Sequence, residues 1–491
     1  MSDASLPSPD LSPRMRMVIP LIVGCAFFME GLDSTVLAVS IPAMAKTFGV
    51  QPLRLNLAIT AYLLSLAVFI PVSGWIADRF GTRSVFCAAV LIFTASSALC
   101  GAATSLGMLI AMRALQGFGG AMMTPVGRLI LLRSFPRSGL VSAMNWMTIP
   151  AMVGPTVGPI VGGFLTSYVS WRAIFYLNIP IGLLGAGLSL WLFEDFRAPA
   201  PTRFDVNGFL IAGVGLFVLE LGIENLGRPM LPPAIGYALF PFAAAMLWFY
   251  VHHARRSRAP VLDLQLLSIR TFSIGTMIGG VCRMGLDSMP LLIPLLFQVG
   301  FGMTPVQSGF LSFWSSLGAM CVRTGSKALL RALGFRAVLL LGAVLSAAVI
   351  AVFALLSADT PKWLLVLCVL ISGCIRSLQY VALNTVSFAD VPSTQLSRST
   401  SFSGVIQQLA RGFGVSLGAA LLSIIAGSER VTVGDFRIVF LLVSLLPLIS
   451  GIGFLRLSAE DGAEVSGHAS RATAGANGAE ANSKAREGAR S

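Results

Sequence analysis

Two carboxylates and one guanidinium stand in apolar stretches with nothing beside them in sequence to solvate their charge. Asp33 and Glu30 lie in the run at 17–42, and Arg113 lies in the run at 106–128. A carboxylate within a membrane span is costly and faces either a cavity or a partner. One that can hold or release a proton as its access to water alternates meets the requirement for proton coupling, and Asp33 is the first candidate. Glu30, three residues earlier on a similar helix face, either widens an acidic site for a cation or serves helix packing. Arg113 and Asp33 sit about 22 and 24 Å from the inner ends of their runs at about 1.5 Å per residue, so they are level. A permanent charge at that depth needs an acidic or carbonyl partner, and Asp33 is the nearest acid by height. A fixed scaffold salt bridge is the alternative reading of the same pair.

Further polar residues interrupt the later runs. Arg283 and Asp287 are four apart and can neutralise each other. Arg376, Gln379 and Asn384 form a loose polar stripe, and Gln407 and Arg411 form another. With Gln116 on the Arg113 run, these are candidates for lining a central cavity. The arginines at 283, 376 and 411 suit an anionic or zwitterionic substrate better than a simple cation.

Two small-residue patterns supply mechanics rather than charge. After the second run comes Gly74-x-x-x-Asp78-Arg79-x-Gly81-x-Arg83. Its small residues allow helices to approach, and its charges can latch one conformational state. Residues 327–336 look like a degenerate second copy, with Gly334 on Gly81 and Arg336 on Arg83, and duplicated halves mark secondary transporters. In the fifth run Gly154, Gly158 and Gly162 recur every four residues, so they share a face, while Pro155 and Pro159 weaken the backbone ladder beside them. With Gly163, they make a candidate packing hinge.

The 74–83 loop is similar to the loop signature of the major facilitator superfamily. Leu32-Asp33-Ser34-Thr35-Val36 with Ile41-Pro42 resembles the first-span motif of its fourteen-span drug:proton antiporters, Arg113-x-x-Gln116-Gly117 their fourth-span motif, and Gly154-Pro155-x-x-Gly158-Pro159-x-x-Gly162-Gly163 their antiporter motif. The resemblance covers roughly 17–456 and is carried mainly by the N-terminal half. It implies a proton-relay role for Arg113 and a glycine face that seals the outer path between two bundles.

Positioning these residues requires membrane-spanning helices. Of 491 residues, 55% are hydrophobic and only 11% are charged, against about a quarter in soluble domains. Fourteen apolar runs of about 20 residues are expected to span, at about 17–42, 53–76, 84–103, 106–128, 140–166, 172–193, 206–224, 234–253, 272–299, 306–324, 336–357, 362–384, 401–426 and 436–456. With the N-terminus inside, nineteen Lys/Arg fall in inner segments and seven in outer ones, which places both termini in the cytoplasm. The expected architecture is therefore an all-α integral membrane protein. It has a lead-in at 1–16, a six-helix bundle at 17–193 and a linker with two extra spans at 194–258. A second six-helix bundle follows at 259–456, then a disordered cytoplasmic tail at 457–491.

Composition excludes other classes. The net charge of +13 is a matter of topology, without the basic, aromatic-interleaved face that nucleic acid needs. The seven cysteines lie inside apolar runs, and the three histidines are placed for neither a metal site nor a catalytic triad. Ala43-Met44-Ala45 could mimic a signal-peptidase site, but the stretch before it is too long and too acidic, so the first run is read as a retained span. No Walker sequence is present, and an ion gradient must drive transport. The expectation is a proton-coupled exporter of small amphipathic compounds, not an enzyme, without cofactor or metal. It is placed in a bacterial inner membrane, with substrate, protons and lipid as partners. A monomer is expected, and a periplasmic adaptor stays open. An exporter of one dedicated metabolite (organic anion, amino-acid derivative or siderophore) is the alternative, ahead of a channel or a receptor.

Overall fold

The computed structural model describes residues 14–50, 55–136, 139–197, 204–227, 231–257, 260–303, 305–427, 431–458 and 460–466. The first half holds α1 (Met15–Phe48), α2 (Asn56–Phe69), α3 (Ser73–Phe80), α4 (Thr82–Gly101), α5 (Leu106–Ser134), α6 (Leu140–Tyr168), α7 (Trp171–Tyr176) and α8 (Asn178–Leu192). The linker holds α9 (Val206–Gly227) and α10 (Pro233–Ala254). The second half holds α11 (Arg270–Ser273), α12 (Gly279–Leu295), α13 (Pro305–Cys321), α14 (Arg323–Phe353), α15 (Lys362–Val386), α16 (Leu396–Ala426) and α17 (Val433–Phe454), followed by a single turn, α18 (Ala463–Ser466). Several of these are parts of one apolar crossing: α2 runs through a 3₁₀ turn at Ile70–Val72 into α3, and π-helical turns flank α12.

Among the described residues twelve helical segments are long and apolar enough to cross a membrane, or thirteen with the bent helix Leu140–Gly158 plus Ile160–Thr166. Fourteen were expected. The remaining run appears as α13, whose 17 residues span only about 26 Å, short of a hydrocarbon core of about 30 Å.

Halves repeat. In the first, α1 packs on α6 and α8, α5 on α2 and α4, and α4 on α8; in the second, α12 packs on α16 and α17, α15 on α13 and α14, and α14 on α17. These are the same pairings carried over to equivalent helices, as a duplicated unit requires. Gly81 (φ +95°) and Gly334 (φ +75°) occupy the same place in the two copies, each breaking helical geometry where one span turns into the next. The left-handed φ favours glycine at both. The degenerate loop copy is therefore legible in the backbone.

Gly81 has no side chain with which to cap α4. Asp195, just past α8, reaches across instead and accepts from the backbone N–H groups of Arg83 (3.1 Å) and Ser84 (3.4 Å). Asp195→Ala should lower stability by about 1 kcal/mol, the usual cost of losing an N-terminal cap, read as a fall in unfolding temperature in detergent.

Composition assigns residues 457–466 to the tail, but the chain stays packed there. Leu457 and Val465 are buried, α18 rests on α14, and Asp461 pairs with Arg270. Burial raises the Asp461 carboxyl, yet that pair and hydrogen bonds from Ser458 outweigh it and hold the group below the usual carboxylate range. Residues 467–491 lie outside the described residues.

Candidate functional site

Between the halves lies a cavity of about 1370 Å³. Its walls come from both halves and from the linker: Glu30 on α1, Arg128 on α5, Asp287 on α12, Arg376 on α15, Arg411 on α16 and Glu220 on α9. It extends to the exposed Tyr168 and Phe310 at the end opposite the 74–83 loop. Toward the loop end the halves touch. The Gly74 backbone N–H donates to Ser401 Oγ at 2.8 Å, Ser397 Oγ donates to the Gly74 carbonyl at 2.7 Å, and the hydroxyls of Ser73 and Ser401 are 3.0 Å apart. Arg128 Nη2 donates to Gln407 Oε1 at 3.0 Å, and Asn145 Nδ2 to Ser326 Oγ at 2.5 Å. One end is shut and the other leads into the cavity.

Behind the wall formed by α1, Asp33 and Arg113 form an ion pair, as their matched heights predict, with both side chains 1% exposed. Arg113 Nη1 also donates to Gln116 Oε1 at 2.8 Å, and its Nε to the Ala58 carbonyl at 3.3 Å. Gln116 Nε2 returns a hydrogen bond to Asp33 Oδ1 at 3.0 Å. The Tyr62 ring lies under the guanidinium, its centroid 4.4 Å away, a cation–π contact that adds to the pair. Among the described residues the hydrogen bonds of Asp33, Arg113 and Gln116 stay within the first half. Glu30, one turn back on α1, faces the cavity instead and accepts a hydrogen bond from the Thr124 hydroxyl.

In the second half Arg283 and Asp287 do not pair with each other among the described residues. Tyr380 takes the intervening place: its hydroxyl donates to Asp287, and its ring lies under the Arg283 guanidinium, with the centroid at 4.7 Å. Arg283 Nη2 donates to Asn384 Oδ1 at 2.8 Å. Arg411 stands within electrostatic reach of both Asp287 and Glu30.

The sequence points to a membrane protein built of apolar helices, and the comparisons with known proteins give its family. The family model of the Major Facilitator Superfamily matches residues 23–415. The chain belongs to that superfamily. It is thus a multi-pass membrane transporter rather than an enzyme. It is 35% identical over 429 residues to a Pectobacterium carotovorum subsp. carotovorum (strain PC1) protein named "Putative multidrug resistance protein MdtD", covering 87% of this chain and 92% of the relative. A protein of the same name from Cronobacter sakazakii (strain ATCC BAA-894) is 34% identical, covering 91% and 96%. Among solved structures, the proton:xylose symporter XylE superposes with a TM-score of 0.63 at 12% identity, covering 92% of this chain and 98% of that one. The human organic anion transporter MFSD10 superposes with a TM-score of 0.61 at 15% identity, covering 90% and 100%. These two show the superfamily fold.

Within that fold several expected cavity residues lie elsewhere. Gln116 belongs to the Asp33 cluster. Arg283, Gln379 and Asn384 are buried between helices, and Gln379 donates to the Leu339 carbonyl at 3.4 Å. Asp287, Arg376, Gln407 and Arg411 do line the cavity. In the loop motif, Asp78 accepts from Arg133 Nη2 at 2.9 Å, Arg79 is exposed, and Gly74 is the contact between halves.

The glycine face of α6 departs from its expected role. Cβ atoms on Gly154, Gly158 and Gly162 would meet Phe28, Thr35 and Val36 of α1, within the same half. The face is therefore an intrabundle seam, not an interbundle seal. From α6 the hydrogen bonds to the other half come from Asn145 and from Thr156, whose hydroxyl accepts from that of Ser316 at 2.5 Å. Pro155 and Gly163 line the cavity, the helix bends by 44° between Gly158 and Ile160, and the Pro159 side chain lies outside the described ones.

Sequence reading passed over Arg133, Asp195, Ser397, Ser401 and Glu220. The carboxylate of Glu220 within an apolar run is a visible signal, and Arg128, the last residue of the run at 106–128, reaches the cavity wall.

Proposed function

We propose that the chain is a proton-coupled exporter of small amphipathic compounds that works by alternating access. The observation that carries this reading is the Asp33–Arg113–Gln116 cluster directly behind the cavity, with Glu30 on the same helix in the cavity wall. A proton arriving at Asp33 would leave the Arg113 charge without its counter-ion, at a cost of several kcal/mol in a dry interior. Protonation and a rearrangement of α1, α2 and α5 are therefore coupled: neither is favourable alone. Glu30, already held by Thr124, is placed to pass protons between the cavity and this cluster. The relatives named for multidrug resistance favour efflux as the direction. Under the positive-inside rule the shut loop end faces the cytoplasm, both termini are cytoplasmic, and α13 completes fourteen spans as two six-span bundles with a two-span linker. The reading places a monomer in a bacterial inner membrane, energised by the proton gradient without a cofactor, and leaves room for a periplasmic adaptor.

The test is proton flux in reconstituted vesicles under an imposed pH gradient, challenged with lipophilic cations and organic anions. Several unrelated cations should collapse the gradient with the wild type and fail to do so with Asp33→Asn. Coupled flux retained in that variant would refute the assignment. Export of a dedicated anionic metabolite is the second reading, favoured by Arg128, Arg376 and Arg411 in the cavity wall. A response to one anion class and silence with cations would select it.

A further inference from the structure

The two bundles alone give the cavity a positive wall. They contribute three arginines, Arg128, Arg376 and Arg411, but only two carboxylates, Glu30 and Asp287. The third carboxylate comes from the linker. Glu220 lies two-thirds of the way along α9, is 2% exposed, and lines the same cavity. Its place is fixed by packing: α9 lies against α2 of the first half and α16 of the second, with Phe209 beside Phe69 (centroids 6.1 Å apart) and Gly213 within 3.5 Å of Val68 for a Cβ placed on it. On the α16 side the absence of a side chain at Gly412 makes room. A Cβ there would stand 3.1 Å from Glu220 Oε1, and the neighbouring residue along α16 is Arg411. The linker helix thus fills the cleft between the halves and brings into the wall the charge that makes it formally neutral.

We propose that Glu220 is a specificity-determining residue of the cavity, where its carboxylate takes the cationic group of a cationic or zwitterionic amphiphile. The linker hairpin is then part of the substrate site and not a tether. With Glu220 neutralised, the excess arginine should turn the cavity toward anions. The flux consequence rests on the transport reading above; the binding consequence does not.

The experiment compares wild type, Glu220→Gln, Glu220→Asp and Asp33→Asn as purified full-length protein. Binding of ethidium and of tetraphenylphosphonium is measured in detergent, and proton flux is measured in vesicles. In Glu220→Gln, cation affinity should weaken at least about tenfold, as for loss of a buried charged partner. Glu220→Asp should recover part of it, and the unfolding temperature should stay close to wild type. Cation binding unchanged in Glu220→Gln, or no cation binding by the wild type, overturns the proposal. Weakened binding with no coupled flux in any variant sustains it and refutes the transport reading instead. Should Glu220→Gln fail to fold, labelling of wild-type Glu220 by a hydrophobic carbodiimide decides: protection by ethidium supports the assignment, and equal labelling with and without ethidium refutes it.

Discussion

Asp33→Asn is expected to cost about 3–5 kcal/mol of folded-state stability as well as coupled transport, because it strands a buried cation. The amide can still meet Gln116, and Arg113 keeps the Ala58 carbonyl, Gln116 Oε1 and the Tyr62 ring. None of these carries a countercharge. Adding Arg113→Gln removes the stranded charge, and the double variant should regain most of the lost stability while transport stays absent. Unfolding temperatures in detergent and gradient-driven flux for the four members of this cycle separate the two effects. A double variant no more stable than Asp33→Asn would mean that the cluster is held by packing rather than by charge. A single variant as stable as the wild type would remove the coupling argument at its root, since protonating Asp33 would then cost nothing either.

The Asp33–Arg113 pair was legible because helical rise is fixed: two residues at equal depth in neighbouring spans can meet. Gln116 followed from the same arithmetic, since at three residues from Arg113 it shares that face, yet its amide was assigned to the cavity. Spacing failed where a third residue intervened. Arg283 and Asp287 have suitable i, i+4 spacing, but Tyr380 from another helix occupies the space between them, and one sequence does not reveal which span lies opposite. Likewise a glycine every fourth residue establishes a close-packing face without naming the helix that packs there, which proved to be α1. The fold was more legible than the site, because apolar runs and duplicated loops are periodic signals, whereas caps such as Asp195 come from loop residues whose approach depends on the whole bundle. The tail boundary moved because a few apolar residues, Leu457 and Val465, suffice to dock a short segment against helices already in place.

Gly74→Ala should hold the loop end open. Alanine is the better helix former, so α3 itself should survive intact. The obstacle lies in the partner: the added Cβ would stand 2.5 Å from the Ser397 carbonyl oxygen and 2.6 Å from Ser401 Oγ. The first is backbone and cannot swing aside, so α3 and α16 must separate and lose the three hydrogen-bonded contacts that join them. Overpacking of this kind costs about 1–3 kcal/mol, and when it burdens only one of two states it shifts their ratio about 5- to 150-fold toward the other. The contacts from Arg128 to Gln407 and from Asn145 to Ser326 close the same end and resist that shift without relieving the clash. Spin labels at the exposed Phe80 and Thr394, in a background freed of the seven native cysteines, report the separation directly. The distance distribution should move to longer values and coupled flux should fall, with the unfolding temperature nearly unchanged because the strain is released by opening. An unaltered distribution would mean that α3 and α16 tolerate the methyl group in the closed state, and the serine–glycine contact would then be incidental to gating. A longer distance with full transport would instead show that this closure is not rate-determining, and would place the slow step at the Asp33 cluster.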